Sequence, residues 1–194
     1  MPATPKDPFP ASRTPNGARP RAVALIGPQG SGKSTLFDAL LTAAGTPPPR
    51  RTEGRQRTMG TEMRLGHCEF MDQPWALLDC PGSVEFAQDA AAALAVADLA
   101  LLVCEPDPAR AAALAPAFHA LEASGLPAML FVNKIDTIGA GRVRDTIAAL
   151  QAHSRRPLVL RQVPIREGGI ATGYVDLVST RAYRWKPGEA SELI

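Results

Sequence analysis

Val23-Ala24-Leu25-Ile26 followed by Gly27-Pro28-Gln29-Gly30-Ser31-Gly32-Lys33-Ser34 and then Thr35-Leu36-Phe37-Asp38-Ala39-Leu40-Leu41 reads as a strand, a GxxxxGKS loop and a helix, in that order. The glycines let backbone N–H groups turn inward around phosphates, and the helix N-terminus adds its positive end. Lys33 supplies a mobile cation, and the Ser34 hydroxyl is placed to ligate Mg²⁺. Gly27, Gln29, Gly30, Ser31, Gly32, Lys33, Ser34 and Thr35 therefore form the expected phosphate site. A glycine-rich turn ahead of a core helix is the plain alternative, but it has no need of a Lys-Ser pair at this spacing.

Beyond this loop, strands and helices alternate. Met63 to Met71 and Trp75 to Leu78 read as paired strands joined by a turn at Asp72-Gln73-Pro74, and the second ends in Asp79-Cys80-Pro81-Gly82. A helix is predicted from Val84 to Ala97 and a buried strand from Leu99 to Val103. The next helix spans Pro108 to Ala123, with Pro116 expected to kink or split it and Gly125 to stop it. The strand Ala128 to Val132 then ends in Asn133-Lys134-Ile135-Asp136. A helix at Val143 to Ala152 and strands at Leu158 to Val163 and Tyr174 to Val178 complete the reading. The pattern predicts an α/β fold of the P-loop NTPase type, a mostly parallel sheet flanked by helices, with ligands at the carboxyl ends of the strands.

The three motifs divide the chemistry. Asp79 suits an acidic residue that reaches Mg²⁺ through water, and Gly82 offers a backbone N–H to a γ-phosphate while hinging the next segment. Asp136 decides the base, because a carboxylate accepts two N–H bonds from guanine N1 and N2 and adenine offers no such pair. Lys134 lays its aliphatic stem along the ring and Asn133 braces the neighbouring loop. GTP is favoured over ATP.

Composition narrows the rest. With 194 residues and 45% hydrophobic content the chain can bury a core. The three cysteines, Cys68, Cys80 and Cys104, show no CxxC pairing, so neither a disulfide framework nor a zinc site is indicated, and a cytoplasmic location is expected. The apolar stretch from Ala90 to Cys104 is broken by Asp98 and falls short of a membrane span. A net charge of +2 gives no argument for direct DNA binding. Residues 1–20 are proline-rich without apolar periodicity and read as a disordered tail. The polar stretch from Thr46 to Gly60, with Arg50, Arg51, Arg55 and Arg57, reads as a switch-type loop. His67, His119 and His153 are scattered, and Trp75 and Trp185 read as packing residues.

The order GPQGSGKST, DCPGSVEF, FVNKID and VPIREGGIATGYVDLVSTRAYRW resembles the GTP-binding domain of translational GTPases, within them elongation factor G and its paralogues. The resemblance covers about Arg21 to Pro187, the front of such a factor, and implies an N-terminal portion of a longer protein. It divides the chain into a nucleotide core over 21–157 and the start of an insertion subdomain over 158–194, where the residues alone would use Leu158 to Val163 as a sixth strand of the main sheet. It also implies GTP/GDP and Mg²⁺ as cofactors and the ribosome as partner, in a ribosome-linked switch for translocation or ribosome disassembly, the alternative being a slow or non-hydrolysing nucleotide-binding regulator or a ribosome-protection-type factor; a monomer is expected.

Two positions depart from the family pattern. Ser83 stands where the family has a histidine that orients the attacking water. Gly60 stands where it has a threonine that ligates Mg²⁺, with Thr61 beside it and Thr58 two before. A serine hydroxyl lacks the reach and charge uptake of an imidazole, and losing such a group costs on the order of 10²–10⁴ in rate. Binding is expected, with Lys33 and Ser83 as the catalytic positions and Thr61 as a stand-in metal ligand, while hydrolysis is expected to be weak or partner-dependent.

Overall fold

A computed structural model describes residues 20–49, 62–83, 87–136, 142–186 and 188–194. Among them the chain forms two sheets, one in the order β2-β3-β1-β4-β5 and one in the order β6-β7-β8-β9. The first sheet comprises β1 (Arg21–Ile26), β2 (Arg64–Phe70), β3 (Gln73–Asp79), β4 (Leu99–Cys104) and β5 (Ala128–Val132). β3, β1, β4 and β5 run parallel, and β2 is an antiparallel edge strand. The second sheet, β6 (Gln162–Glu167), β7 (Ile170–Asp176), β8 (Arg181–Arg184) and β9 (Glu192–Leu193), is antiparallel throughout.

Alternation along the strands explains the layers. On β1, Val23 and Leu25 face α1 (Lys33–Ala43), where they meet buried Phe37 and Leu41 together with Leu77, Leu101 and Val103. Ala24 and Ile26 face the opposite side, with Leu78, Ala100 and Leu102. There they meet Ala93, Leu94 and Ala97 around α2 (Ala87–Val96), and Phe118 and Leu121 of α3 (Ala115–Ser124). A strand buried on both faces must be apolar at every position, which is why Val23 to Ile26 is a continuous apolar run. α4 (Arg142–Gln151) adds Leu150 to the second cluster. No helix among the described residues is long and apolar enough to cross a membrane.

Several boundaries differ from expectation for identifiable reasons. The β2–β3 hairpin turns at Met71 and Asp72, both at positive φ (53° and 56°), the primed geometry whose twist matches the flanking strands. Gln73 and Pro74 are thereby strand residues rather than turn residues. Pro74 lies opposite Glu69 of β2, before the pairing with β1 begins at Trp75, so its missing N–H breaks no bond to β1. Pro116 does divide its segment: a 3₁₀ helix over Pro108–Leu114 gives way to α3 with the proline in its first turn, and Gly125 closes α3 at φ 68°.

Leu158 to Arg161 is not a strand. Leu158 packs against the core cluster behind β1 and β4, and pairing begins only at Gln162, in the second sheet. The sixth-strand reading is therefore corrected: β6 joins β7 through a turn at Gly168-Gly169, both at positive φ. The sequence reading does not anticipate β8 and β9. The expected disordered tail, as far as residue 19, lies outside the described residues. So does the stretch 50–61, with Thr58, Gly60, Thr61 and the four loop arginines.

Leu102 is 1% exposed on β4, so Leu102→Ala is expected to lower stability by about 2–5 kcal/mol, the cost of the lost transfer energy plus the cavity. Urea denaturation followed by circular dichroism checks this.

Candidate nucleotide site

The three sequence motifs fall at the carboxyl ends of β1, β3 and β5, on one edge of the first sheet. The β1–α1 loop is shaped by its glycines. At Gly27 (φ 139°) an added Cβ would lie 2.2 Å from the Val103 carbonyl oxygen of β4, so only a residue without a side chain fits. Gly30 and Gly32 also have positive φ, 79° and 93°, turning the loop inward before the helix begins at Lys33.

From outside, the loop is held by the β5 motif. The Asn133 side-chain amide donates from Nδ2 to the Ser31 carbonyl at 2.8 Å, across 102 residues of sequence. Lys134 Nζ donates to the Gly30 carbonyl at 2.7 Å and pairs closely with Glu105, which also pairs with Arg110. The Lys134 hydrogen bond, helped by the nearby cations, holds the Glu105 carboxyl below the usual carboxylate range. Lys134 adopts φ 55°, the left-handed conformation that turns Ile135 and Asp136 away from the strand. Asp136 is exposed at the rim. Arg166 of β6 donates from Nη2 to the Ile135 carbonyl at 2.6 Å, tying the second sheet to this loop.

Lys33 lies inside the loop. Its Nζ donates to the Gly27 and Pro28 carbonyls, both at 2.8 Å, and the residue is 5% exposed. Burial pushes its ammonium pKa down, against the opposing pull of Asp79 and Cys80. Gly82 closes over it: a Cβ there would sit 2.4 Å from Lys33 Nζ and 2.7 Å from the Gln29 backbone nitrogen. The phosphate loop and the β3 motif are thus in direct contact. Ser83, next in the chain, is half-buried, Ser34 is half-buried at the start of α1, and Thr35 is exposed.

Asp79 is 4% exposed at the end of β3. Its Oδ2 accepts from Arg64 Nε at 3.0 Å and Nη2 at 2.8 Å, whereas Oδ1 is buried without a hydrogen-bond partner. An orphaned carboxylate oxygen beside Lys33 and α1 suits a metal-bound water, so the donor set fits Mg²⁺. Ser31 Oγ is likewise buried and unpartnered within the loop. Cys80 follows Asp79, its thiol pushed up to about 12 by burial, with the Asp79 charge adding to the effect. Cys104, at the end of β4, is raised to about 12 for the same first reason, with Glu105 adding to it. Burial also raises Cys68.

The structure therefore brings Gly27, Gln29, Gly30, Ser31, Gly32, Lys33, Ser34, Gly82, Asp79, Asn133 and Lys134 around one loop, while Thr61 lies outside the described residues. Sequence reasoning misses Arg64, Glu105 and Arg166. A charged residue on β2's α1-facing set, with Gly66 and Cys68, is the available signal for Arg64. The end of β4, between two motif strands, is the signal for Glu105.

Residues 18–167 match the family described as the elongation factor Tu GTP binding domain. An elongation factor G-like protein of Synechocystis sp. is 36% identical over 186 residues, covering 90% of this chain and 28% of the relative. A mitochondrial ribosome-releasing factor 2 of Danio rerio is 24% identical over 89% of this chain and 24% of its own length. A crystal structure of a Thermus thermophilus protein superposes with a TM-score of 0.72 at 29% identity, over 90% of this chain and 28% of that one. The chain thus spans about a quarter of the length of these two curated relatives.

Gly32 and Gly30 separate two effects. A Cβ at Gly32 would lie 2.2 Å from Asn133 Nδ2, whereas one at Gly30 would meet nothing within 4 Å. Both substitutions to alanine strain a positive φ, which costs roughly 1–3 kcal/mol. Gly32→Ala is expected to lose more stability than Gly30→Ala in matched denaturation curves, because it alone also pushes Asn133 off the loop.

Proposed function

Because the chain belongs to the translational GTPases, in their elongation-factor-G-like family, we propose that it holds GTP or GDP with Mg²⁺ and works as a ribosome-linked switch in translocation or ribosome disassembly. The observation that carries this reading is the pair of bonds from Asn133 and Lys134 to the Ser31 and Gly30 carbonyls. They join the base-reading loop to the phosphate loop, so that one ligand long enough to touch both is measured at both ends.

In this reading the backbone N–H groups along Gln29 to Lys33 take the phosphates, and Lys33 leaves the Gly27 and Pro28 carbonyls to pair with a phosphate oxygen. Ser34 would hold the metal directly and the Oδ1 of Asp79 through a bound water, with Thr61 as a further ligand. Bound there, Mg²⁺ neutralises charge on the phosphates. Asp136 accepts from guanine N1 and N2, and the Lys134 stem lines the ring. Gly82 reports the γ-phosphate through its N–H and moves the segment behind it. Ser83 positions water less well than an imidazole, so turnover is slow until the ribosome supplies the missing group. β6–β9 form the start of the insertion subdomain, and the site works as a monomer in the cytoplasm.

Two measurements test this. Asp136→Asn removes a charged acceptor worth roughly 1.5–3 kcal/mol per hydrogen bond. It is expected to weaken GTP binding about a hundredfold or more while improving xanthosine triphosphate binding, as read by calorimetry. Equal binding of ATP and GTP by the unsubstituted chain would contradict the base assignment. In single-turnover hydrolysis with ribosomes, Ser83→His is expected to accelerate the step by about 10²–10⁴, and no acceleration removes Ser83 as the cause of slow turnover.

A further inference from the structure

Arg64 is held more tightly than any role in the proposed chemistry requires. It lies directly opposite Asp79 in the β2–β3 register. Its Nε and Nη2 both donate to Asp79 Oδ2, Nη2 also donates to the Ser34 carbonyl at 3.2 Å, and Nη1 pairs with Asp38 Oδ1 at 2.9 Å. The guanidinium carbon lies 4.5 Å from the centre of the Phe37 ring. Every nitrogen is engaged, and the contacts come from both β3 and α1. The guanidinium is thus a cation fixed against the carboxylate that would serve the metal.

We propose that Arg64 is a built-in counter-charge that weakens the hold of this site on Mg²⁺, so that keeping guanine nucleotide bound demands more free Mg²⁺ than the metal donors alone would need. The proposal rests on the guanine-nucleotide reading above. Two observations support it. Oδ2 of Asp79 is already satisfied, which leaves Oδ1 alone for a metal-bound water. The Arg64 charge also reaches the Ser34 backbone, at the residue whose hydroxyl would ligate the same ion, so a divalent cation arrives next to a like charge that is pinned in place.

The test is release of a fluorescent N-methylanthraniloyl-GDP from the full chain, measured against free Mg²⁺ set with EDTA buffers. Arg64→Met is expected to shift the Mg²⁺ midpoint for nucleotide retention about tenfold lower, a change that modest charge repulsion at these distances readily supplies. Arg64→Lys, which keeps the charge, is expected to stay closer to the unsubstituted chain. Arg64→Gln, neutral but still able to donate to Asp79, serves where the methionine variant does not fold. A purely structural arginine would change melting temperature and release rate at all Mg²⁺ levels without moving the midpoint, and that result overturns the proposal. A midpoint that rises in the neutral variants overturns it as well. Failure of the unsubstituted chain to bind the fluorescent nucleotide at saturating Mg²⁺ overturns instead the reading on which the proposal rests.

Discussion

The loop between β1 and α1 is held in shape by a side chain from the far end of the first sheet. Asn133 reaches back to the Ser31 carbonyl, and the bond fits only because Gly32 has no Cβ in its way. The same economy recurs at Gly27 beneath the Val103 carbonyl and at Gly82 over Lys33. Each glycine marks a place where two segments meet closely at the sheet's carboxyl edge, and that close approach is what brings motifs distant in sequence together there.

The core serves that edge. β1 is apolar at every position from Val23 to Ile26 because it is covered on both faces, by α1 on one and by α2 and α3 on the other. The cluster facing α2 and α3 reaches the ends of the strands, where Ile26, Cys80 and Cys104 are buried at the start of the loops. A rigid sheet thus presents short, constrained loops rather than long independent ones. The second sheet is connected to the same edge, through Arg166 on the Ile135 carbonyl, so the loop carrying Asp136 is braced from the second sheet as well as by Lys134.

Much of this is legible in the sequence because the signals are local. A buried parallel strand announces itself as a short apolar run, and the loops that follow β1, β3 and β5 carry residue types with few structural uses elsewhere. What escapes is non-local. Leu158 to Val163 has the composition of a strand, yet whether it pairs with β5 or with β7 depends on partners far along the chain, and Leu158 is used instead as a packing residue. The turn at Met71-Asp72 is hidden because methionine is not a usual occupant of a left-handed turn position, whereas Pro74 nearby is a conspicuous turn signal that here sits in a strand. Arg64 reads as one more surface cation until the hairpin register sets it against Asp79.

The thiols near this edge carry a different implication. Peroxides and electrophiles attack the thiolate, and Cys80 and Cys104, buried with pKa values pushed up to about 12, stay protonated at neutral pH. Cys68 is half-buried and shifted in the same direction. Thiolate chemistry is therefore disfavoured at this edge even though one sulfur follows directly on Asp79.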